Sequence, residues 1–141
     1  MINPMLDLTR VVRFAAAHRL HSDQLSAEEN RRIYGKCNYE FGHGHNYELH
    51  VTVSGPVDAK TGMVINLTEL EALIQDRLYK EVDHRHLNQD VPFLKGVNPT
   101  VENLVVAFWN KLKNQMPGGV LLKHLRLYEN DHNYADYYGA V

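Results

Sequence analysis

From Asn46 to Ser54 the chain alternates, with Tyr47, Leu49, Val51 and Val53 on one side and Glu48, His50, Thr52 and Ser54 on the other. Successive side chains of an extended strand point to opposite faces, so this run is a strand with one apolar and one polar face. Such a strand cannot bury its apolar face alone, and it commits the chain to a sheet covered on one side only. Leu6 to Ala17 is rich in Val, Leu and Phe, with Thr9, Arg10 and Arg13 interspersed and no helical cap before it. It reads as a first strand, paired antiparallel with the second.

Two helices supply the cover. Thr68-Glu69-Leu70-Glu71 is a capping box, and Leu70, Leu73, Ile74 and Leu78 follow at helical spacing, which predicts a helix to about Glu81. Asn66-Leu67-Thr68 matches a glycosylation sequon but is read as the entry to this helix. Thr100 caps a second helix whose Leu104, Val105, Phe108, Trp109 and Leu112 form a core-facing stripe, ended by Pro117-Gly118-Gly119. Val120 to Glu129 alternates again, with Leu121, Lys123, Leu125, Leu127 and Glu129 on one side, and a turn at Asn130–Asn133 returns the chain as a last strand over Tyr134–Tyr138. Between the first two strands, Arg19 to Lys36 is a long polar excursion in which Ser26-Ala27-Glu28-Glu29 offers a capping box for one helical turn. The order is ββααββ, an α+β domain with a four-stranded antiparallel sheet and both helices on one face. Its open edges call for oligomerisation.

The 141 residues make a single domain, 1–141, large enough for one core. A net charge of -2 with scattered basic residues leaves no footprint for nucleic acid or an anionic membrane, and a small-molecule partner is expected instead. No apolar run reaches the roughly 18 residues of a membrane span. The lone cysteine forms no internal disulfide, and Asp7, Arg10 and Arg13 stand where a signal peptide needs its apolar core, so a cytoplasmic location is expected.

The chemistry gathers in Cys37-Asn38-Tyr39-Glu40-Phe41-Gly42-His43-Gly44-His45-Asn46-Tyr47. In extended backbone His43 and His45 face the same side and can share one metal ion. His18, at the end of the first strand, is the candidate third ligand; His21 and His50 compete with it. Three histidines leave the fourth tetrahedral position open, as a catalytic zinc site requires. Cys37 beside Lys36 and a metal is placed to be a thiolate base or nucleophile, against the alternative of an inert buried thiol. Asp83-His84 is either an acid–base pair or a solvated helix end, where a protonated histidine suits the helix dipole. Glu102 lies in the first turn of the second helix, where a carboxylate is favourable for structural reasons. Glu129 closes an apolar strand face, a position suited to receiving paired N–H donors from a flat heterocycle.

Phe14-Ala-Ala-Ala-His18-Arg-Leu, Gly35-Lys-Cys37, Gly42-His-Gly-His45-Asn-Tyr, Gly62-Met-Val-Ile-Asn-Leu, Asp83-His84, Pro99-Thr-Val-Glu102-Asn and Leu127-Tyr-Glu129 together resemble the 6-pyruvoyl-tetrahydropterin synthase family, in order from Leu6 to Gly139. The resemblance implies a tunnelling fold, whose ββααββ subunits form trimeric barrels that stack as a hexamer, a dimer of trimers. It implies zinc on His18, His43 and His45, Cys37 as general base, and Asp83 with His84 as a proton relay presented by a neighbouring subunit. Glu129 would anchor a pterin, with Thr100 and Glu102 in the same pocket. The implied reaction converts 7,8-dihydroneopterin triphosphate to 6-pyruvoyl-tetrahydropterin with release of triphosphate, with Mg²⁺ accompanying the triphosphate. A sister activity, 6-carboxy-tetrahydropterin synthase of queuosine biosynthesis, shares the fold and substrate. The spacer of five residues from Asn38 to Gly42 matches the pyruvoyl enzymes; Glu40 within it leaves open a variant class that uses a glutamate in place of or beside the cysteine and cleaves the side chain, and Val101 stands where many relatives carry a second threonine. A pterin-binding oligomer without catalysis is the reading from another functional class.

Overall fold

The computed structural model describes residues 3–140. β1 (Met5–His18) and β2 (His43–Pro56) pair antiparallel along their whole length, in a register that sets His18 opposite His43 and Phe14 opposite Tyr47. β4 (Leu121–Asn130) pairs antiparallel with β2, and β5 (Asn133–Tyr137) with β4. These are the four antiparallel strands expected. A two-residue β3 (Arg85–His86) also joins the outer side of β1 in parallel, giving the order β3-β1-β2-β4-β5. Two residues carry no alternation to read; β3 forms because the His84 N–H donates to Ala15 O (2.6 Å) and the Leu87 N–H to Ala17 O (2.7 Å).

The excursion after β1 is more structured than one turn. Ser26 and Glu29 complete both halves of a capping box on the eight-residue α1 (Ala27–Tyr34). Buried Asn30 ties the preceding loop down, accepting from the Ser22 N–H (2.8 Å) and donating to Ser22 O (2.9 Å). A 3₁₀ turn, Gly35–Asn38, then carries Cys37.

α2 (Leu67–Ile74) is capped by Asn66, whose side chain accepts from the Thr68 N–H at 2.9 Å, so the helix starts earlier than a Thr68 cap would set it. Asn caps as well as Thr and here occupies the extended backbone a cap needs. The helix continues through a π-helical stretch, Gln75–Tyr79, into α3 (Lys80–Val82). The buried positions Leu70, Ile74, Leu78 and Val82 recur every fourth residue. In a 3.6-residue helix that spacing drifts about 40° per step, and the wider π turn takes up the drift. α4 (Val101–Leu112) is capped by Thr100 as expected, with the hydroxyl accepting from the Asn103 N–H at 3.1 Å.

The helices bury one face of the sheet: Leu70, Ile74, Leu104 and Phe108 pack with Phe14, Tyr47, Leu49, Leu125 and Leu127 in one core. Each such fully buried side chain contributes about 1.5–3 kcal/mol. Trp109 sits at the core's margin, edge-on to Tyr137 with ring centroids 5.4 Å apart. The alternation expected of β4 breaks near its start, and a second register shift, between Tyr128 and Asn130, lies where β4 meets β5. Thr52 pairs with His124 but Val53 with Leu122, a β-bulge that turns Leu122 inward and leaves Leu121 71% exposed. On the uncovered face charges pair with one another, Arg13 with Glu48 (2.9 Å), Glu48 with His50 (2.7 Å), and Asp136 with both His124 (2.7 Å) and Arg126 (2.8 Å).

Candidate active site

The β1/β2 register decides the metal centre. Pairing of Ala16 with His45 and His18 with His43 puts all three imidazoles on the helix-facing side, at the end of the sheet beyond the apolar core. Their ring centroids lie 4.7 to 5.0 Å apart, and candidate ligand atoms of His18, His43 and His45 all fall within 4.8 Å of one another. Tetrahedral ligands at zinc–nitrogen distances of about 2.0–2.1 Å stand about 3.3 Å apart, so the cluster is of the right size for such an ion. His18 is wholly buried, and its Nδ1–H donates to Pro99 O at 2.8 Å, which leaves the lone pair on Nε2. That Nε2 and His43 Nδ1 are buried without a protein partner. An unpartnered buried nitrogen is costly, and a cation at His18 Nε2 accounts for that one; His43 turns its Nε2 toward His45 Nε2 at 2.9 Å, the side on which those two rings can share the ion. Burial lowers the pKa of His18 to about 4 against the help of the Pro99 carbonyl, and burial also lowers that of His45, opposed by Glu129. Both rings are therefore neutral at pH 7, as metal ligands must be.

The competing ligands are occupied elsewhere. His21 Nδ1 is 3.0 Å from the Asn38 side-chain amide, and His50 pairs with Glu48 on the uncovered face. Of the two flanking glycines only Gly42 is required. Its φ is 81°, and a Cβ there would lie 2.8 Å from His18 O and 2.9 Å from His86 Nε2, whereas at Gly44 the nearest atom stands at an ordinary 3.7 Å. Gly42→Ala is expected to lower unfolding free energy by about 1–3 kcal/mol in a urea titration, with Gly44→Ala costing clearly less.

Cys37 is half-buried in its 3₁₀ turn and shares a cleft of about 910 Å³ with His43, Arg19, Arg31 and Lys36. The turn is moored to the end of β1 by the Leu20 N–H donating to Cys37 O at 2.8 Å. Thr100, Glu102 and Glu129 line one cleft of about 690 Å³ together with Leu20 and Tyr34. Glu129 Oε1 stands 3.7 Å from His45 Nε2, so this cleft adjoins the histidine cluster.

Asp83 and His84 are in direct contact, Oδ2 to Nδ1 at 2.9 Å, which sequence adjacency alone could not decide. The contact follows from His84 taking φ 59° just after the helix ends, while Asp83 Oδ1 accepts from the Ala15 N–H at 3.1 Å. Burial would raise the pKa of Asp83, but hydrogen bonds from His84 and the Ala15 N–H outweigh it and bring the pKa down. His84 opens onto a different cleft, lined by Ala15–Ala17, Gly44–Asn46, Arg85 and His86, and not onto that of Cys37. Sequence reasoning missed Pro99, which acts through a backbone carbonyl, and the Tyr47 hydroxyl, 3.2 Å from His18 Nδ1. The only trace of Tyr47 was its place in line with His43 and His45.

Fold and site define an α+β enzyme with a three-histidine cluster able to hold a metal ion, between a thiol-bearing and a carboxylate-bearing cleft. The model of the 6-pyruvoyl tetrahydropterin synthase family matches residues 7–140, and the chain belongs to that family. The 6-pyruvoyl tetrahydrobiopterin synthase of Poecilia reticulata is 46% identical over 132 residues, covering 94% of this chain and 89% of the relative. That of Homo sapiens is 44% identical over 132 residues, covering 94% and 90%. Among solved structures, the Caenorhabditis elegans 6-pyruvoyl tetrahydropterin synthase superimposes with a TM-score of 0.93 at 39% identity, covering 99% of both chains.

Proposed function

We propose that the protein is a zinc-dependent carbon–oxygen lyase that converts 7,8-dihydroneopterin triphosphate to 6-pyruvoyl-tetrahydropterin and releases triphosphate. The observation that carries this reading is the sharing of one cleft by Cys37 and His43, a member of the three-histidine cluster, in a chain of this family. His18, His43 and His45 would hold zinc, which would supply Lewis acidity toward the substrate's side-chain oxygens and so ease removal of the adjacent C–H proton. Cys37, as thiolate, takes that proton. Glu129 receives the pyrimidine N–H groups of the pterin, with Thr100 and Glu102 shaping the same cleft. The Thr100 hydroxyl oxygen caps α4 and so has its hydrogen free to donate. Asp83 holds His84 through the 2.9 Å contact to its Nδ1 and so orients the ring that returns a proton. His84 lines a cleft with His45 but without Cys37, and we assign a relay toward the Cys37 side to a neighbouring subunit, in a hexamer of two trimeric barrels closed by pairing of sheet edges. Mg²⁺ accompanies the triphosphate. A free thiol acting as base suits the reducing cytoplasm.

Incubation of the zinc-loaded protein with 7,8-dihydroneopterin triphosphate, followed by mass analysis, tests this. The 6-pyruvoyl product is expected. A 6-carboxy or side-chain-cleaved pterin would reassign the reaction, and absence of triphosphate release would leave the non-catalytic pterin binder. Glu129→Gln is expected to weaken pterin binding about ten- to a hundredfold, as loss of a charge-assisted hydrogen bond does, read as a raised KM or by titration with the product pterin.

A further inference from the structure

Arg19, Arg31 and Lys36 converge on the cleft that holds Cys37 and His43, and a single carboxylate, Glu40, shares the lining. Among the described residues the ion pairs of Lys and Arg go to other side chains, and none involves these three. Like charges around one concavity repel, and a multiply charged anion between them turns that repulsion into attraction.

Arg19 is the fixed member. Its Nε–H donates to Asn38 O at 3.0 Å, leaving the terminal guanidinium nitrogens without a protein acceptor. The Asn38 amide donates to Leu20 O at 2.7 Å, and Asn88 both accepts from the Arg19 N–H (2.8 Å) and donates to Arg19 O (2.9 Å). These contacts hold Arg19 next to the turn that bears Cys37. A planar, preorganised guanidinium is the side chain best matched to phosphate oxygens. Arg31, in the last turn of α1, and Lys36, in the turn after it, are exposed and reach the cleft as outer cations.

We propose that this cleft is a polyphosphate subsite, in which Arg19 grips a phosphate group near Cys37 while Arg31 and Lys36 hold the rest of the chain. Its assignment to the triphosphate tail of the substrate rests on the function proposed above; the subsite itself rests on the cations. The subsite also retains the leaving triphosphate, so free triphosphate competes with substrate.

Calorimetric titration of the zinc-loaded, full-length protein with inorganic tripolyphosphate tests it. Binding is expected to weaken about tenfold in Arg31→Ala, further in Arg31→Ala/Lys36→Ala, and most in Arg19→Ala, with a shallower salt dependence in each. Affinity for dephosphorylated neopterin should stay unchanged. Arg31 and Lys36 are exposed, so the double variant decides the matter even if Arg19→Ala fails to fold. Tripolyphosphate binding that is absent from the wild type, or unaltered in the double variant, overturns the subsite. If cation-dependent binding is found but the triphosphate substrate is not turned over, the subsite stands and the lyase reading falls. Turnover with an unchanged KM in the double variant does the reverse: the lyase reading stands and the subsite falls.

Discussion

Cys37→Ala should reduce turnover of 7,8-dihydroneopterin triphosphate by about a hundred- to ten-thousandfold, the contribution of a positioned general base, while zinc content and the circular dichroism of the sheet stay as in the wild type. The separation is possible because the turn does not depend on the thiol. Its hold on β1 runs through the backbone, Leu20 N–H to Cys37 O, and its own closure through the Tyr39 N–H to Lys36 O at 3.2 Å. Alanine keeps both contacts and removes only Sγ from the cleft. Single-turnover rates on protein of verified metal content give the measurement. A rate that survives unchanged would assign the proton abstraction to another group.

His43→Ala should reduce bound zinc to trace levels under dialysis and take activity down with it, to at least the extent seen for Cys37→Ala, because a three-ligand site reduced to two loses both affinity and geometry. His43 is the better choice than His18. It is only half-buried, whereas His18 is completely buried and its replacement would also leave Pro99 O without a donor. The fold should persist in the variant and after chelation of the wild type. The core of Leu70, Ile74, Leu104, Phe108, Leu125 and Leu127 is built of apolar contacts that involve none of the three ligands. Metal analysis paired with a thermal melt distinguishes this from a zinc that holds the fold together, whose removal would unfold the chain.

Much of this was legible in the chain because periodicity reports what a side chain faces. The alternation of Tyr47 to Val53 and the apolar run before His18 are enough to pair β1 with β2, and an antiparallel pair necessarily brings the end of one strand to the start of the next. His18 joins His43 and His45 by that geometry. What was not legible depends on single residues of backbone conformation. The bulge opposite Val53 exchanges Leu121 for Leu122, and the left-handed turn at His84 closes the contact with Asp83. The choice of Asn66 over Thr68 as cap was equally hidden, since both residue types cap well and only the position of the first turn decides. The division of the site into separate clefts is a tertiary property: Glu129 and Thr100 meet from elements far apart in sequence, and no local pattern records their common wall.

The face of the sheet turned away from the helices answers its own charges, Arg13 to Glu48 and Arg126 to Asp136. The charged groups keep that face well solvated, and its exposed aromatic rings, Tyr134 and Tyr138, lie against Arg126 and His124. Subunits that close around it would enclose a hydrated channel and not a second oily interior. Cohesion of the ring would then come from the rims of the sheet, through hydrogen bonds that run from strand to strand, so its strength would scale with the length of edge engaged and its geometry would be fixed by register.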